Sequence, residues 1–526
     1  MAEIPKNNIL ELSFESRNES QRDDVELFLS ATSPDGQVKR IPGFWAGSST
    51  WRMRFSSDML GKHEYTTTCS DTTDDGLHGQ TGTIDVIPYA GDNPLYTHGQ
   101  LRVATGKKHL EHADSTPFFW LGDTWWMGFT KRLQWPEEFQ SLVEDRVQKG
   151  FTLVQIVAGL YPDMPPFDER GANEAGFPWQ DGKFEYINPA YFDLVDLRVQ
   201  HLVESGLVPC IVGSWGYFIG VAGVAALKMH WRNLIARYGA YPVVWCVAGE
   251  AMMQYYLNQV DKKTWRKQER PRRLSAWSEL ATYIREIDAF HNPITVHPTR
   301  FGHEQLDKPK LLDVNMLQTG HANPASEIST IKNTVKMVQT ARKQGMPVVV
   351  GEVCYEGIME GNRQEIQRCL FWATMLSGGA GHTYGANGIW QVNRRDKPFG
   401  PSPYGVSWGN TPWEDAYQLP GSRHVGVCKN ILAKYPWWTL ESHPEWVKNP
   451  LMFAAGIPGQ LRVIYRFLPG RFKIWKLENA VKYTATLIDP KDGTSNVVGT
   501  VQPDKRGVWT CSPKINQDWV LALERT

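Results

Sequence analysis

The sequence predicts an α/β protein: a (β/α)8 TIM barrel flanked by two small antiparallel β-sandwich domains. Two patterns carry that reading. Residues 101–435 alternate short β-branched runs with longer amphipathic stretches, eight times over, which is the signature of βα units. The segments on either side instead show short alternating runs separated by Gly, Pro, Asp and Ser clusters, as small sandwiches do. Length agrees. At roughly 100–200 residues per domain, 526 residues make about three domains, read as 1–95, 96–435 and 436–526.

In the first segment DVELFLSATSPDG, STWRMRFSS, HEYTTTCSDTTD and TGTIDVIPY alternate as strands do, with no helix-period stretch among them. It gathers no set of catalytic residue types and reads as an accessory domain. HLEH (109–112) reads as a turn ahead of the barrel. The eight barrel runs are FFWLGD ending at Asp123, TLVQIVAG at Gly159, LVPCIVGS at Ser214, VVWCVAGE at Glu250, ITVHP at Pro298, VNMLQTG at Gly320, PVVVGE at Glu352 and AGHTY at Tyr384. Stretches such as PEEFQSLVEDRVQKG, PAYFDLVDLRVQHLVESG and ISTIKNTVKMVQTARKQG carry helix-period apolar stripes between them and stop at Gly, as helices do. No GxGxxG follows the first run, which disfavours a doubly wound nucleotide-binding sheet. SGGAG (377–381) lacks a P-loop Lys. LRVIYRF, RFKIWKL, YTATLID, VWTCS and WVLALE return to strand patterns in the last segment.

Composition narrows the function. Lys plus Arg and Asp plus Glu are both 56, and this balance argues against a nucleic-acid partner, which draws concentrated positive charge. No apolar run approaches about 18 residues, so no membrane span or membrane partner is expected. Homo-oligomer formation is compatible with this composition. The N-terminus shows no basic-then-apolar leader. The seven cysteines are scattered without a CxxC, which suits reduced thiols and a cytoplasmic setting. A secreted chain with its signal peptide removed would read the same way. The 22 Trp, 19 Tyr and 21 Phe mostly fill cores, yet flat rings also form platforms for sugars.

Barrel active sites stand at the C-terminal ends of the strands. The residues there are Asp123 with Trp125 and Trp126, Tyr161, Trp215, Glu250, His297 with Arg300, Gln318 with His321, Glu352 with Tyr355, and His382 with Tyr384. Glu250 and Glu352, at the fourth and seventh ends, face each other across the mouth. Two carboxylates flanking one bond are what glycoside hydrolysis needs. Glu250 leaves an apolar strand, where desolvation favours the protonated form of a proton donor. Glu352 is the expected nucleophile. His297, His321, Tyr355 and His382 are expected to orient it or to bind sugar hydroxyls. Asp123 is expected to accept from a sugar hydroxyl, and Glu356 to point into the following loop. Two long loops, Tyr161–Asn188 and Gly385–Gly421, are rich in Pro, Gly and aromatics, Trp390, Trp408 and Trp413 among them. Such loops are usually functional, and here they suggest a walled, exo-acting pocket for a carbohydrate or glycoconjugate. No cofactor and no metal are expected. HExxH is absent, and VGSWG (212–216) misses the GxSxG elbow by its first residue. The competing readings are a carbohydrate-binding barrel without catalysis, and a metal-assisted hydrolase using His297, His321, His382 and Asp123.

FFWLGDTWW, the VVWCVAGE end, PVVVGEVCYEG and GGAGHTYGANGIW resemble the apiosidase-like barrel glycosidases, the group around glycoside hydrolase family 140 within the clan A style of barrel. The resemblance spans nearly the whole chain, with a preceding sandwich and a following collagen-binding-like sandwich. It implies retaining hydrolysis, with the acid/base at Glu250 and the nucleophile at Glu352. Two departures stand out: Gly249 replaces the Asn that many clan A enzymes carry before the acid/base, and Glu250 replaces an Asp frequent in the apiosidase-like group. The longer acid leaves apiosides, arabinofuranosides and galactofuranosides open as substrates.

Overall fold

Short Val- and Ile-rich strands run parallel when each is returned to the same end by a connection too long for a hairpin. Eight such strands are β1 (Trp120–Trp125), β2 (Leu153–Val157), β3 (Val208–Val212), β4 (Val244–Cys246), β5 (Ile294–Thr295), β6 (Asn315–Gln318), β7 (Val348–Glu352) and β8 (Gly381–Thr383). The computed structural model describes residues 2–17, 25–257, 259–405 and 407–526, and it places these strands in one sheet in barrel order. β1 pairs with β2 on one side, Asp123 opposite Val154, and with β8 on the other, Leu121 opposite His382. The seam between β5 and β6 is joined by Asp313 N and Val314 N, which donate to Ile294 O at 2.8 and 3.3 Å. The predicted barrel is therefore the observed one.

Helices α1 (Glu137–Gln148), α2 (Pro189–Glu204), α3 (Gly223–Tyr238), α4 (Arg270–Ile287), α5 (Glu327–Ala341), α6 (Gln364–Met375) and α7 (Pro420–Leu432) follow the strands. Gly150, Gly206 and Gly345 stand beyond α1, α2 and α5 at φ 80°, 81° and 72°, the left-handed stop that glycine adopts without a Cβ penalty. One unit departs from the pattern. The β5–β6 connection holds two short 3-10 turns, Gly302–Glu304 and Pro309–Leu311, in place of a helix. It is short, and Pro298, Gly302 and Pro309 interrupt it, so no run is long enough to propagate a helix.

Before the barrel, a five-stranded sheet (Ala2–Pro5, Thr81–Ile87, Gly61–Cys69, Leu27–Thr32, Val38–Pro42) faces a three-stranded one (Leu10–Glu15, Thr50–Phe55, Phe44–Gly47). Leu27, Leu29, Trp51, Met53, Phe55 and Ile84 pack between them. The pairing is antiparallel except that Ala2–Pro5 runs parallel to Thr81–Ile87. HLEH is not a turn: Leu110–His112 is the central strand of a small sheet, pairing with Leu101–Val103 and Pro117–Phe118.

After the barrel, a six-stranded sheet is built around Leu461–Arg466 and Trp519–Arg525. Its residues alternate between two cores. Val463, Tyr465, Val520 and Ala522 join the barrel core, whereas Ile464, Leu521 and Leu523 pack with Phe472 and Ile474 of a second, two-stranded sheet. Both faces of its central strands are buried, which ties this sheet to α6. There Trp372 stacks on Tyr465 at 5.8 Å, and Arg368 forms a two-pronged pair with Asp518 at 2.8 and 2.9 Å.

Candidate active site

Side chains alternate along a strand, so position at a strand end does not by itself place a residue in the barrel mouth. Glu352 closes β7 and faces inward. Glu250 lies four residues beyond the end of β4, at φ 42°, a left-handed conformation that a non-glycine residue adopts only under constraint. The turn is held from both sides: Gly216 N donates to Gly249 O at 2.6 Å, and Ala251 N donates to His297 O at 3.3 Å. Gly249 is there because Trp215 packs against it. A Cβ at this position would come within 2.3 Å of the Trp215 ring, which accounts for the absence of a larger residue before Glu250.

Gln318, the last residue of β6, brackets the two acids. Its Nε2 donates to Glu352 Oε1 at 2.6 Å and to Glu250 Oε1 at 3.1 Å. Glu352 also accepts from His321 Nε2 at 2.9 Å and from Tyr355 Oη at 2.6 Å, and His297 Nε2 stands 3.3 Å from its Oε2. Trp126 Nε1 donates to Tyr355 Oη at 3.1 Å and so orients that donor. His297 is fully buried, edge-on to Trp126 at 5.3 Å.

The two carboxylates are pushed apart electrostatically. Burial alone would raise Glu352, but His297 and His321 outweigh it through hydrogen bonds and charge, and hold Glu352 far below the ordinary carboxylate range. Glu250 is raised to about 7, chiefly by desolvation and then by the neighbouring Glu352 charge. At neutral pH one acid is ionised while the other keeps much of its proton, the division of labour that acid–base pairs need.

A cavity of about 350 Å³ opens over this pair, within the roughly 300–1,000 Å³ of ligand pockets. Glu250, Glu352, Trp126, Trp215, Gln318, His321, Tyr355 and Trp390 line it. A larger cavity, about 450 Å³, lies between α5 and the C-terminal sheet, and neither acid reaches it.

The remaining expected residues are elsewhere. Asp123 is fully buried and points outward to α1. It accepts from Arg146 Nε at 2.5 Å, Trp125 Nε1 at 2.8 Å and Thr124 N at 2.8 Å, which leaves it facing no sugar hydroxyl. Trp125 shares its parity and packs on Phe139. His382 also faces outward, against Phe371 and Thr374 of α6, and burial lowers it to about 3. Tyr161 Oη meets Tyr191 Oη at 2.5 Å under the loop after β2. Tyr384 Oη donates to Glu356 at 2.5 Å. Glu356 does not project into the following loop; it is buried and accepts from Gly421 N at 3.0 Å, in the first turn of α7. Arg300 is exposed over Phe301, and its contribution is a carbonyl that accepts from Gln318 N at 3.1 Å. His297 sits behind Glu352 rather than in the cavity wall. The four residues of the metal-assisted reading thus do not converge, and among the described residues no three His, Cys, Asp or Glu side chains group as a metal site.

Sequence reasoning missed Asp163, Met253, Tyr256 and Tyr404 in the cavity lining. Asp163 stands two residues after Tyr161, in YPDMPP, and a carboxylate that close to a strand end was the available signal. Asp123→Ala is expected to cost about 1–3 kcal/mol, because the buried Arg146 loses one of its two carboxylate partners and keeps Asp145, with kcat/KM of the folded enzyme little changed. Urea unfolding alongside turnover checks both.

Residues 104–439, well over half of the chain, match the family described as apiosidase-like, catalytic domain. The chain belongs to the apiosidase-like family. It is a glycoside hydrolase. Residues 3–70 match a domain of unknown function, DUF5060. A search of curated proteins found no match. Among solved structures, the apiosidase-like chain is similar to a glycoside hydrolase at 23% identity, covering 83% of this chain and 98% of that one, with a TM-score of 0.66. It is similar to a glycoside hydrolase family 5 protein from Bacteroides vulgatus ATCC 8482 at 22% identity, covering 82% and 93%, with a TM-score of 0.67. A candidate glycoside hydrolase from the same organism matches at 17% identity over 100% of both chains, with a TM-score of 0.73. At these identities the likeness speaks for the fold.

Proposed function

We propose that this apiosidase-like chain is a retaining, exo-acting glycosidase in which Glu352 is the nucleophile and Glu250 the acid/base. The shared Gln318 amide carries the reading. Both acids accept from one nitrogen, so their bracketed oxygens stand no further apart than the two bond lengths together, about 5.7 Å. That suits the ~5–5.5 Å of retaining pairs better than the ~6.5–9.5 Å that inverting enzymes leave for a water.

In the first step Glu352 attacks the anomeric carbon while the bond to the leaving oxygen breaks. Glu250 gives that oxygen its proton. In the second step Glu250 takes a proton from water, and the water oxygen displaces Glu352 from the sugar. The small cavity, walled by the loops after β2, β4 and β8, supports release of a terminal sugar. Among the described residues its lining holds no Lys or Arg, which favours a neutral sugar over a uronoside. Apiosides, arabinofuranosides and galactofuranosides head the substrate classes.

A panel of aryl glycosides, furanosides and uronosides included, with NMR of the first-formed anomer, tests substrate and stereochemistry together. Retention is expected. Inversion, or no hydrolysis across the panel, refutes the proposal. Tyr355→Phe removes a donor to ionised Glu352, so the acidic limb of the kcat/KM profile moves to higher pH. The rate falls about 10–100-fold, as for loss of a hydrogen bond to a charged group.

A further inference from the structure

Among the described residues three carboxylates line the cavity, and the proposed reaction uses two. The third, Asp163, is 8% exposed and stands at φ 57°, a conformation Asp tolerates better than most residues. Its two oxygens are engaged from two different loops. Tyr256 Oη, beyond β4, donates to Oδ1. Trp408 Nε1, beyond β8, donates to Oδ2 at 3.0 Å. The Asp163 carbonyl accepts from Arg170 Nη2 at 3.4 Å, and Arg170 Nη1 donates to Phe399 O and Pro401 O at 3.3 and 3.2 Å. Tyr404 packs edge-on against Tyr256 at 4.9 Å. A single aspartate thus joins loops that share no sheet or helix, and the rings it holds line the cavity over Glu250 and Glu352.

We propose that Asp163 is a positioning residue of the hydrolytic site, a reading that rests on the glycosidase assignment: its carboxylate clamps the loops after β2, β4 and β8 into a roof over the two acids. Its charge acts on the chemistry as well. The groups that bear on Glu250 are Glu352 from β7, His297 beyond β5, the neutral Gln318 amide from β6 and Asp163. Tyr256 and His321 stand on the same cavity wall. Asp163 and Glu352 both favour protonated Glu250, whereas His297 and Gln318 favour the ionised form.

Asp163→Asn separates these roles from simple folding. Asn keeps the shape and suits the left-handed backbone. Its amide can accept from Trp408 through Oδ1 but reaches Tyr256 only by donating Nδ2–H to the phenol oxygen, so one hydrogen bond is reversed and both lose their charge assistance. The expected result is a fall in kcat/KM of about 10–100-fold, the scale of one charge-assisted hydrogen bond. The basic limb of the profile also moves to lower pH, because the charge that favoured protonated Glu250 is gone. A merely structural role would leave that limb in place.

A second measurement needs no substrate. In the full-length chain labelled with 5-fluorotryptophan, the ¹⁹F resonance lost in Trp408→Phe identifies Trp408, and Asp163→Asn is expected to shift it. An unmoved Trp408 resonance overturns the clamp, and so does an unchanged pH limb with wild-type kcat/KM. If the unmodified enzyme hydrolyses no glycoside, the functional reading falls instead, and the fluorine resonance still decides the clamp.

Discussion

Glu352→Gln lowers turnover by on the order of 10⁴-fold or more, the scale on which loss of a nucleophile is felt, while circular dichroism and the unfolding midpoint stay close to those of the unmodified chain. The side chain keeps its length, so the cavity keeps its shape. The carboxylate, whose Oε1 accepts from Gln318 and His321 and whose Oε2 accepts from Tyr355, is replaced by a neutral amide that cannot form an ester with the sugar. Glu352→Ala goes further and opens space for a small anion. Added azide is then expected to restore release of an activated aryl group and to yield a glycosyl azide of inverted configuration, because the anion attacks from the side the carboxylate vacated. Residual turnover above about one-tenth of normal in both variants would contradict the nucleophile assignment.

Glu250→Gln separates substrates by leaving group. A poor leaving group needs a proton as its bond breaks, so its hydrolysis falls by about 10²–10⁴-fold, the usual contribution of general acid catalysis. An activated aryl glycoside leaves unaided and loses far less in the first step. The pH profile gives a second readout. Glu250 is raised from 4.5 to about 7 and must be protonated to act, so kcat/KM of the unmodified enzyme falls as pH rises through about 7. Glu352 must be ionised, and its depressed pKa puts the acidic limb far below neutrality. In Glu250→Gln the basic limb disappears. Equal losses on both substrate types, or a surviving limb near 7, would remove Glu250 from the acid/base role.

Much of this architecture is written in local patterns. VVWCVAGE and PVVVGE mark strands by their β-branched runs, and each ends in a carboxylate, so pairing Glu250 with Glu352 follows from barrel geometry. Trp126, Gln318, His321 and Tyr355 are found by the same reasoning. Asp123, Trp125, His382 and Tyr384 occupy equivalent places near strand ends yet face the surrounding helices. In β1 and the residue that follows it the inward-facing set is Trp120, Thr124 and Trp126, so Asp123 meets Arg146 of α1 instead of substrate. The register that decides parity depends on neighbouring strands, and a strand that is buried on both faces shows no polar alternation from which to read it. Asp163 and Tyr256 escaped notice for another reason: their importance lies in contacts between distant segments, Tyr256 with Asp163 and Asp163 with Trp408, some 245 residues along the chain.

The residues alone determined the barrel, its flanking sheets and the acid at the end of each of two opposed strands, because βα alternation and strand-end chemistry are short-range properties of the chain. Tertiary packing decided which strand-end side chains enter the mouth, that a single Gln318 amide spans both acids, and that loops from three corners meet on Asp163. Those outcomes depend on strand register and on contacts between distant segments, and neither leaves a local pattern in the sequence.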